Sequence, residues 1–298
     1  MDSFSRRQQP KSAEYNYEIT ETIRVRIMTT VGQLIEMRIN VPRMMEELGN
    51  IVIRSIGEFR TRGVMVTMPT LIDHLSHCDD AEFLDVVEYL FHTRENFGGQ
   101  STVREINKIF DEENLGYELT PFVTIHDPVP SYSMGKAVVT GVFTTRIQFP
   151  KIILKTEKIL HASTVEPALQ VMSDPRFATA NGELVDGLVK LRNGQYQESI
   201  QTCGSAIESV LKTICTLKQW AYVEHKDNLS ELLEICRGKG LFFPFYASVL
   251  NGTGTMRNKM SAHGKGPNPE IIPQKEHAEH MAYTCCANAV LLVSLAKL

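Results

Sequence analysis

The sequence lacks a segment that could anchor or export the protein. Its longest apolar run, "AVLLVSLA" near the C terminus, is far too short to span a bilayer. The first residues, "MDSFSRRQQPKSAEY", have no apolar centre of the kind that defines a signal peptide. We therefore expect a soluble, cytoplasmic protein that has no membrane partner.

A strong excess of one charge is also missing. The 31 Lys and Arg residues are outnumbered by 35 Asp and Glu residues, which gives a formal net charge of −4. Affinity for a phosphate backbone comes from clustered Lys and Arg, so the balance excludes a protein that binds nucleic acid over its whole surface. Any nucleic-acid site must be a local patch.

Common cofactor motifs are absent as well. The six cysteines form no C-x-x-C pair and have no regular spacing, which indicates buried free thiols rather than a disulfide framework or a thiolate zinc site. The sequence contains no Walker loop, no G-x-S-x-G elbow and no H-E-x-x-H. We expect no metal and no organic cofactor.

The pattern of apolar residues predicts a mainly α protein with two domains. After a polar tail at 1–14, residues 15–125 have mostly helical spacing and form a predicted N-terminal domain. The segment "HDPVPSYSMGKAVVTGVFTT" is rich in Pro, Gly and Ser, and it predicts either a plain linker or a small hairpin. We therefore assign 126–180 to a linker with a possible hairpin and a connecting helix. Residues 181–298 predict an antiparallel helical bundle.

The long predicted helix "YQESIQTCGSAIESVLKTICTLK" organises this bundle. Its apolar residues recur at steps of three and four, which predicts one stripe that faces another helix. Glu208 and Lys212 lie one turn apart and can pair at the edge of the stripe. Asn228 and Glu231 form a capping pattern at the start of the next helix. The members of the stripe are Tyr196, Ile200, Cys203, Ile207, Val210 and Ile214.

A basic segment, "NGTGTMRNKMSAHGKG" at 251–266, follows these helices and contains no acidic residue. We predict a glycine-rich loop here. Arg257 and His263 are six positions apart, which on a continuous helix places them about 120° from each other. They can act on one substrate only if the helix ends between them or if a second subunit supplies one of them.

The residue types in this segment suit the cleavage of RNA. His263 titrates near neutral pH and can take a proton from a ribose 2′-hydroxyl or give one to the leaving 5′-oxygen. Arg257 can stabilise the charge that grows on the phosphate oxygens, and Asn258 can orient the phosphate or the imidazole. Lys259 and Lys265 could hold neighbouring phosphates. The structural alternative is that these basic residues only cap a helix C terminus.

The stretch "RNKMSAHG" resembles the R-x(4–6)-H signature of the HEPN superfamily. More narrowly, "TGTMRNKMSAHGKG" together with the preceding helix resembles the C-terminal domain of abortive-infection-like proteins of bacteria, over residues 181–298. The resemblance implies a HEPN-like bundle that forms a homodimer and sets two Arg/His motifs in a shared cleft. It also implies that Arg257, Asn258 and His263 fall on the motif, with Glu208 and Lys212 in support.

This resemblance leads to three hypotheses for function. The first is a metal-independent endoribonuclease of a prokaryotic defence or toxin system that cleaves single-stranded RNA; an antitoxin or sensor would be its protein partner. The second is a non-catalytic module that binds RNA or a nucleotide signal and dimerises. The third is a regulatory scaffold that only dimerises.

Two histidine clusters offer a different chemistry. The segment "DHLSHC" contains His74, His77 and Cys78, and "EHAEH" places His277 and His280 one turn apart. Either cluster could contribute to a metal site. Neither has an evident third and fourth ligand in the sequence, so surface or interface histidines are the preferred interpretation.

Overall fold

The computed structural model describes residues 14–36, 68–92, 99–133, 136–224, 226–260 and 272–298. The fold is mainly helical, as the sequence predicts. Two compact units are present, and each is built from two stretches of chain. The first unit comprises Met1–Phe122 and Phe149–Lys158, and the second comprises Val123–Gln148 and Ile159–Leu298.

In the part of the chain that the structure describes, the first unit combines helices with one short pair of strands. Its helices are α1 (Glu21–Glu36), α2 (Met68–His77), α3 (Asp80–Tyr89) with a 3-10 turn at Leu90–His92, and α4 (Gln100–Glu112). Strands β1 (Tyr117–Leu119) and β4 (Ile152–Leu154) pair antiparallel. Apolar residues of all these elements form one core, which includes Ile27, Phe83, Phe110 and Ile152.

A buried arginine connects helices α1, α2 and α3. The Arg24 side chain on α1 donates to the carbonyl of Ile19 at 3.2 Å and to that of Leu75 on α2 at 2.8 Å. Its third contact is an ion pair of 2.5 Å with Asp80, the first residue of α3. Because each of the three guanidinium nitrogens donates to an acceptor, the charge is tolerated in a largely apolar setting.

The second unit contains a β-hairpin and a helical bundle. The hairpin strands are β2 (Val123–Ser133) and β3 (Lys136–Gln148). A helical turn at Lys158–Leu160 and a π-helix at His161–Val165 lead into α5 (Glu166–Met172), and a 3-10 turn at Pro175–Phe177 follows. The bundle then comprises α6 (Ala178–Arg192), α7 (Tyr196–Leu217), α8 (Leu229–Gly238), α9 (Tyr246–Leu250), α10 (Gly252–Met260) and α11 (Lys275–Ala296).

The segment rich in Pro, Gly and Ser forms a hairpin and is not a plain linker. Strands β2 and β3 pair antiparallel from Val123 opposite Gln148 to Ser133 opposite Lys136, with an irregularity between Pro128 and Pro130. Proline has no N–H to donate, so it fits a strand where the ladder is interrupted. The side chain of Gln148 also donates to the carbonyl of Ala178 at 2.8 Å, which fixes the hairpin to the start of α6.

The apolar stripe on α7 faces helices of the same chain. Its residues from Ile200 to Ile214 are buried, and α7 packs against α6, α11, α8 and α10. The predicted stripe is therefore present, but it belongs to the core of the bundle.

Local signals in the sequence locate two helix boundaries in this bundle. The capping box predicted from Asn228 and Glu231 is confirmed at the start of α8. A turn at Asn193 and Gly194 separates α6 from α7, and Gly194 has φ of +72°, a conformation that favours glycine.

All six cysteines are free thiols. Cys78 is half-buried and the other five are buried, which confirms the prediction for most of them. Burial raises the pKa of Cys203 to about 12 and also raises the pKa values of Cys285 and Cys286 well above the usual thiol range. These are packing residues of the bundle. Within the described ranges, no helix is long and apolar enough to cross a membrane.

Candidate active site in the helical bundle

Helix α10 carries the arginine of the basic motif. The sequence predicts a loop across 251–266, but Gly252–Met260 is helical. Close packing between helices explains why this segment is helical. A Cβ atom on Gly254 would lie 2.8 Å from Cδ2 of Leu229, so the glycine allows α10 to approach α8 closely. Thr253 is also buried, and its hydroxyl donates to the carbonyl of Leu250 at 2.9 Å.

Arg257 points back onto helix α7. Its Nη1 lies 3.1 Å from Oε2 of Glu208, and each side chain is 19% exposed. The ion pair therefore lies at the boundary between core and solvent, where it is less screened than a surface pair. The guanidinium has five N–H donors, so one bond to Glu208 leaves capacity for a phosphate oxygen.

A glycine on α7 makes room for the arginine stem. A Cβ atom on Gly204 would lie 2.9 Å from Cδ of Arg257 and 3.1 Å from Cε of Met281. Any larger residue at this position would displace the arginine or Met281 on α11. Gly204 therefore sets the path of the Arg257 side chain across the bundle.

Glu208 binds two cations at once. Its Oε1 lies 3.1 Å from Nζ of Lys212, while its Oε2 receives Arg257. The predicted pairing of Glu208 and Lys212 along one helix is confirmed. The structure adds Arg257 as the second partner, which the sequence spacing does not reveal.

A second carboxylate, Glu183 on α6, lies close to this group and is missed by the sequence analysis. Burial raises its pKa, and the charge of Glu208 acts in the same direction, while a hydrogen bond with Ser209 and the charges of Lys212 and Arg257 oppose the shift. Its Oε2 is buried and has no hydrogen-bond partner among the described residues. Glu183 occupies a helix of ordinary composition, so no local pattern marks it out.

The end of α10 is also held by α7. The side-chain amide of Gln197 donates to the carbonyl of Met260 at 3.1 Å. This bond satisfies one of the carbonyls that a helix C terminus leaves without an intrahelical partner. It also fixes the point from which the chain continues toward His263.

The predicted site residues fall into three groups. The structure brings Arg257, Glu208 and Lys212 together. It places Asn258 and Lys259 on the exposed side of α10, one and two positions beyond the arginine. His263 and Lys265 lie outside the described residues.

The histidines of the "EHAEH" segment have a structural explanation. His277 Nδ1 accepts the backbone N–H of Gln274 at 3.1 Å and forms part of a capping box at the start of α11. Both His277 and His280 are exposed.

Comparison with known families agrees with this architecture. Residues 178–296 match the Abi_C family model, which describes a HEPN-like domain. No curated protein and no solved structure matches the chain. The matched residues run from the start of α6 to the end of α11. The C-terminal helical bundle is therefore similar to the HEPN-like domain that this family model describes, as the resemblance of its basic motif predicts.

Proposed function

We propose that this protein is a metal-independent endoribonuclease of a prokaryotic defence system, of the abortive-infection or toxin kind. The observation that carries the proposal is the ion pair between Arg257 and Glu208 within the HEPN-like domain. It holds a half-buried arginine on the helix that leads directly into the segment containing His263.

The proposed reaction assigns one role to each residue of the motif. His263 acts as general acid or base while the ribose 2′-hydroxyl attacks the adjacent phosphorus, and the 5′-oxygen leaves with a proton. The product carries a 2′,3′-cyclic phosphate. Arg257 stabilises the additional negative charge on the phosphate oxygens, and Asn258 orients the reacting groups. Lys259 and Lys265 would hold neighbouring phosphates.

The substrate would be single-stranded RNA, because in-line attack requires a nucleotide that can leave A-form geometry. The active form would be a homodimer that brings two motifs into one cleft. The support for the dimer is the six-residue spacing of Arg257 and His263, since the stripe on α7 is occupied within the bundle. An antitoxin or sensor partner would control an activity of this kind in the cell.

The decisive experiment compares cleavage and binding for His263→Ala. We expect the variant to lose cleavage of single-stranded RNA and to keep most of its affinity for an uncleavable RNA, because the fixed charges of Arg257, Lys259 and Lys265 are unchanged. Arg257→Ala should lose cleavage and also bind more weakly. Normal cleavage by His263→Ala would remove the enzyme assignment.

The pH dependence of the cleavage rate provides a second test of the role of His263. The cleavage rate should change between roughly pH 5.5 and 7.5, where imidazole titrates, and should be bell-shaped if a second histidine provides the opposite proton transfer. Affinity for uncleavable RNA should vary much less at the alkaline end, since lysine and arginine stay protonated there.

One observation also supports the non-catalytic alternative. Arg257 is neutralised by Glu208, and a paired arginine of this kind can hold two helices together without taking part in a reaction. In that case the protein would bind RNA or a nucleotide, and its affinity would depend on Lys259 and Lys265 as much as on Arg257.

A further inference from the structure

A group of three potential metal ligands lies in the first unit, away from the basic motif in the sequence. The ligand atoms of His74, Cys78 and Glu82 all lie within 4.8 Å of one another, and all three residues are half-buried. The sequence shows only the histidine and the cysteine of this group. Glu82 is the third potential ligand, and the fold brings it next to the other two.

A break between two helices creates the group. On one continuous helix, eight residues would place His74 and Glu82 about 12 Å apart along the axis. Instead α2 ends at His77 and α3 begins at Asp80. The chain turns at Asp79, which has extended backbone angles and caps α3 by accepting the N–H of Glu82 at 2.8 Å. As a result, Nε2 of His74 lies 2.7 Å from Oε1 of Glu82.

The charges around the group favour a cation. The carboxylates of Asp79 and Glu82 act on the Cys78 thiol, and Asp80 lies beside the same helix break. Arg24 opposes them, since its Nη1 lies 3.4 Å from the Cys78 sulfur. Arg24 is already paired with Asp80 at 2.5 Å, so its charge is largely compensated locally. Among the described residues around the group, negative charges therefore outnumber positive charges.

The three ligand types suit a divalent ion that is intermediate between hard and soft. Zinc binds imidazole nitrogen and carboxylate oxygen at about 2.0–2.2 Å and thiolate sulfur at about 2.3 Å, which places neighbouring ligand atoms roughly 3.3–3.7 Å apart. The His74–Glu82 separation of 2.7 Å is shorter than this range, and all the ligand atoms lie within 4.8 Å of one another, so rotations of the side chains would form the site. We propose that His74, Cys78 and Glu82 bind Zn²⁺ in the N-terminal unit, with water as the fourth ligand.

Binding exchanges a proton for the metal. The Cys78 thiol loses its proton to the buffer as the Zn–S bond forms, and no electron is transferred. The proton shared between Nε2 of His74 and Oε1 of Glu82 moves to Nδ1 of the ring or to the buffer, and the two atoms then each donate an electron pair to the ion. The bound ion would join the end of α2 to the first turn of α3, and it would therefore stabilise the first unit against heat.

The test uses the full chain with Co²⁺ as a spectroscopic substitute for Zn²⁺. We expect one equivalent of Co²⁺ to produce thiolate-to-cobalt charge-transfer absorption, and added Zn²⁺ to displace it. Cys78→Ser should abolish this absorption and weaken Zn²⁺ binding in calorimetry by roughly ten-fold or more. Zn²⁺ should raise the thermal midpoint of the wild-type protein and have little effect on that of Cys78→Ser.

The structure offers a matched control in the same segment. His77 is 78% exposed, and its Nδ1 lies 2.7 Å from the carbonyl oxygen of Asp73, outside the group. His77→Ala should therefore bind both metals as the wild type does. Glu82→Gln should keep the thiolate absorption and bind more weakly, and it provides the test if Cys78→Ser fails to fold. Co²⁺ binding without thiolate absorption, or wild-type zinc affinity in Glu82→Gln, would overturn the proposal.

Discussion

Arg257 Nη1 lies 3.1 Å from the carboxylate of Glu208, although 49 positions separate the two residues along the chain. The contact joins α10 to α7 and places a permanently charged donor group at the edge of the HEPN-like bundle. The contact holds the guanidinium of Arg257 in one orientation, and a catalytic role requires such a fixed orientation.

Glu208→Gln should impair cleavage more than binding. The amide cannot compensate the charges of Arg257 and Lys212, so the arginine loses its fixed orientation, and the bundle should lose about 1–3 kcal/mol of stability. Cleavage assays and denaturant unfolding would measure the two effects. Glu198→Gln, which removes an exposed charge from the same helix, is the control and should change neither.

Gly204→Ala should displace Arg257. The added methyl group would lie 2.9 Å from Cδ of the arginine, so the side chain must move and the cleavage rate should fall. Gly238→Ala is the matched control, because a Cβ atom there meets nothing within 4 Å. Equal cleavage rates for the two alanine variants would show that the path of the arginine stem is unimportant.

Glu183→Gln should change how stability depends on pH. The pKa of Glu183 is raised by burial, so its protonated form stabilises the fold. That contribution is fully present below the pKa of the unfolded state and is lost as pH rises through the raised pKa of the folded state. Glutamine mimics the protonated acid, so the variant should exceed the wild type in stability at neutral pH. The difference should disappear in acid, and urea unfolding across a pH series would measure it.

Cleavage should persist in EDTA. The proposed reaction uses only side chains of the basic motif, and the proposed zinc site belongs to the first unit. Initial rates with and without chelator should therefore agree for the wild type and for Cys78→Ser at a temperature where both are folded. Loss of activity on chelation, with recovery in Mg²⁺ or Mn²⁺, would contradict the proposed mechanism.

Mixing two inactive variants should test the shared cleft. If Arg257 and His263 act together across a dimer, Arg257→Ala mixed with His263→Ala produces heterodimers with one intact site. Random pairing would then restore about one quarter of the wild-type rate. Light scattering should show the dimer mass for both variants. A monomer that cleaves RNA would rule out the shared site.

Several features of the protein follow from local sequence. The spacing of apolar residues predicts the long α7 helix and its stripe, because a helical period needs no knowledge of the partner helix. The capping box at Asn228 and the turn at Gly194 depend on groups within a few residues, and both are present. The pair of Glu208 and Lys212 is one helical turn apart, so the sequence predicts it correctly.

Other features depend on contacts between distant residues. The stripe on α7 is compatible with an intermolecular or an intramolecular partner, and only packing against α6 and α11 shows that it belongs to the core. The helical state of 252–260 opposes the local preference of its glycines, which tertiary contacts with α8 and α7 override.

By itself, the sequence determined the helical class of the protein, the basic motif around Arg257, and the resemblance that locates the HEPN-like domain. The tertiary structure alone decided which charges meet: Arg257 with Glu208, Glu183 beside both, and Glu82 with His74 and Cys78. The physical reason is the distance along the chain over which each interaction acts. Helical period and capping act over one or two turns of chain, whereas burial, pKa shifts and ligand groups arise between side chains that only packing or a chain reversal brings together.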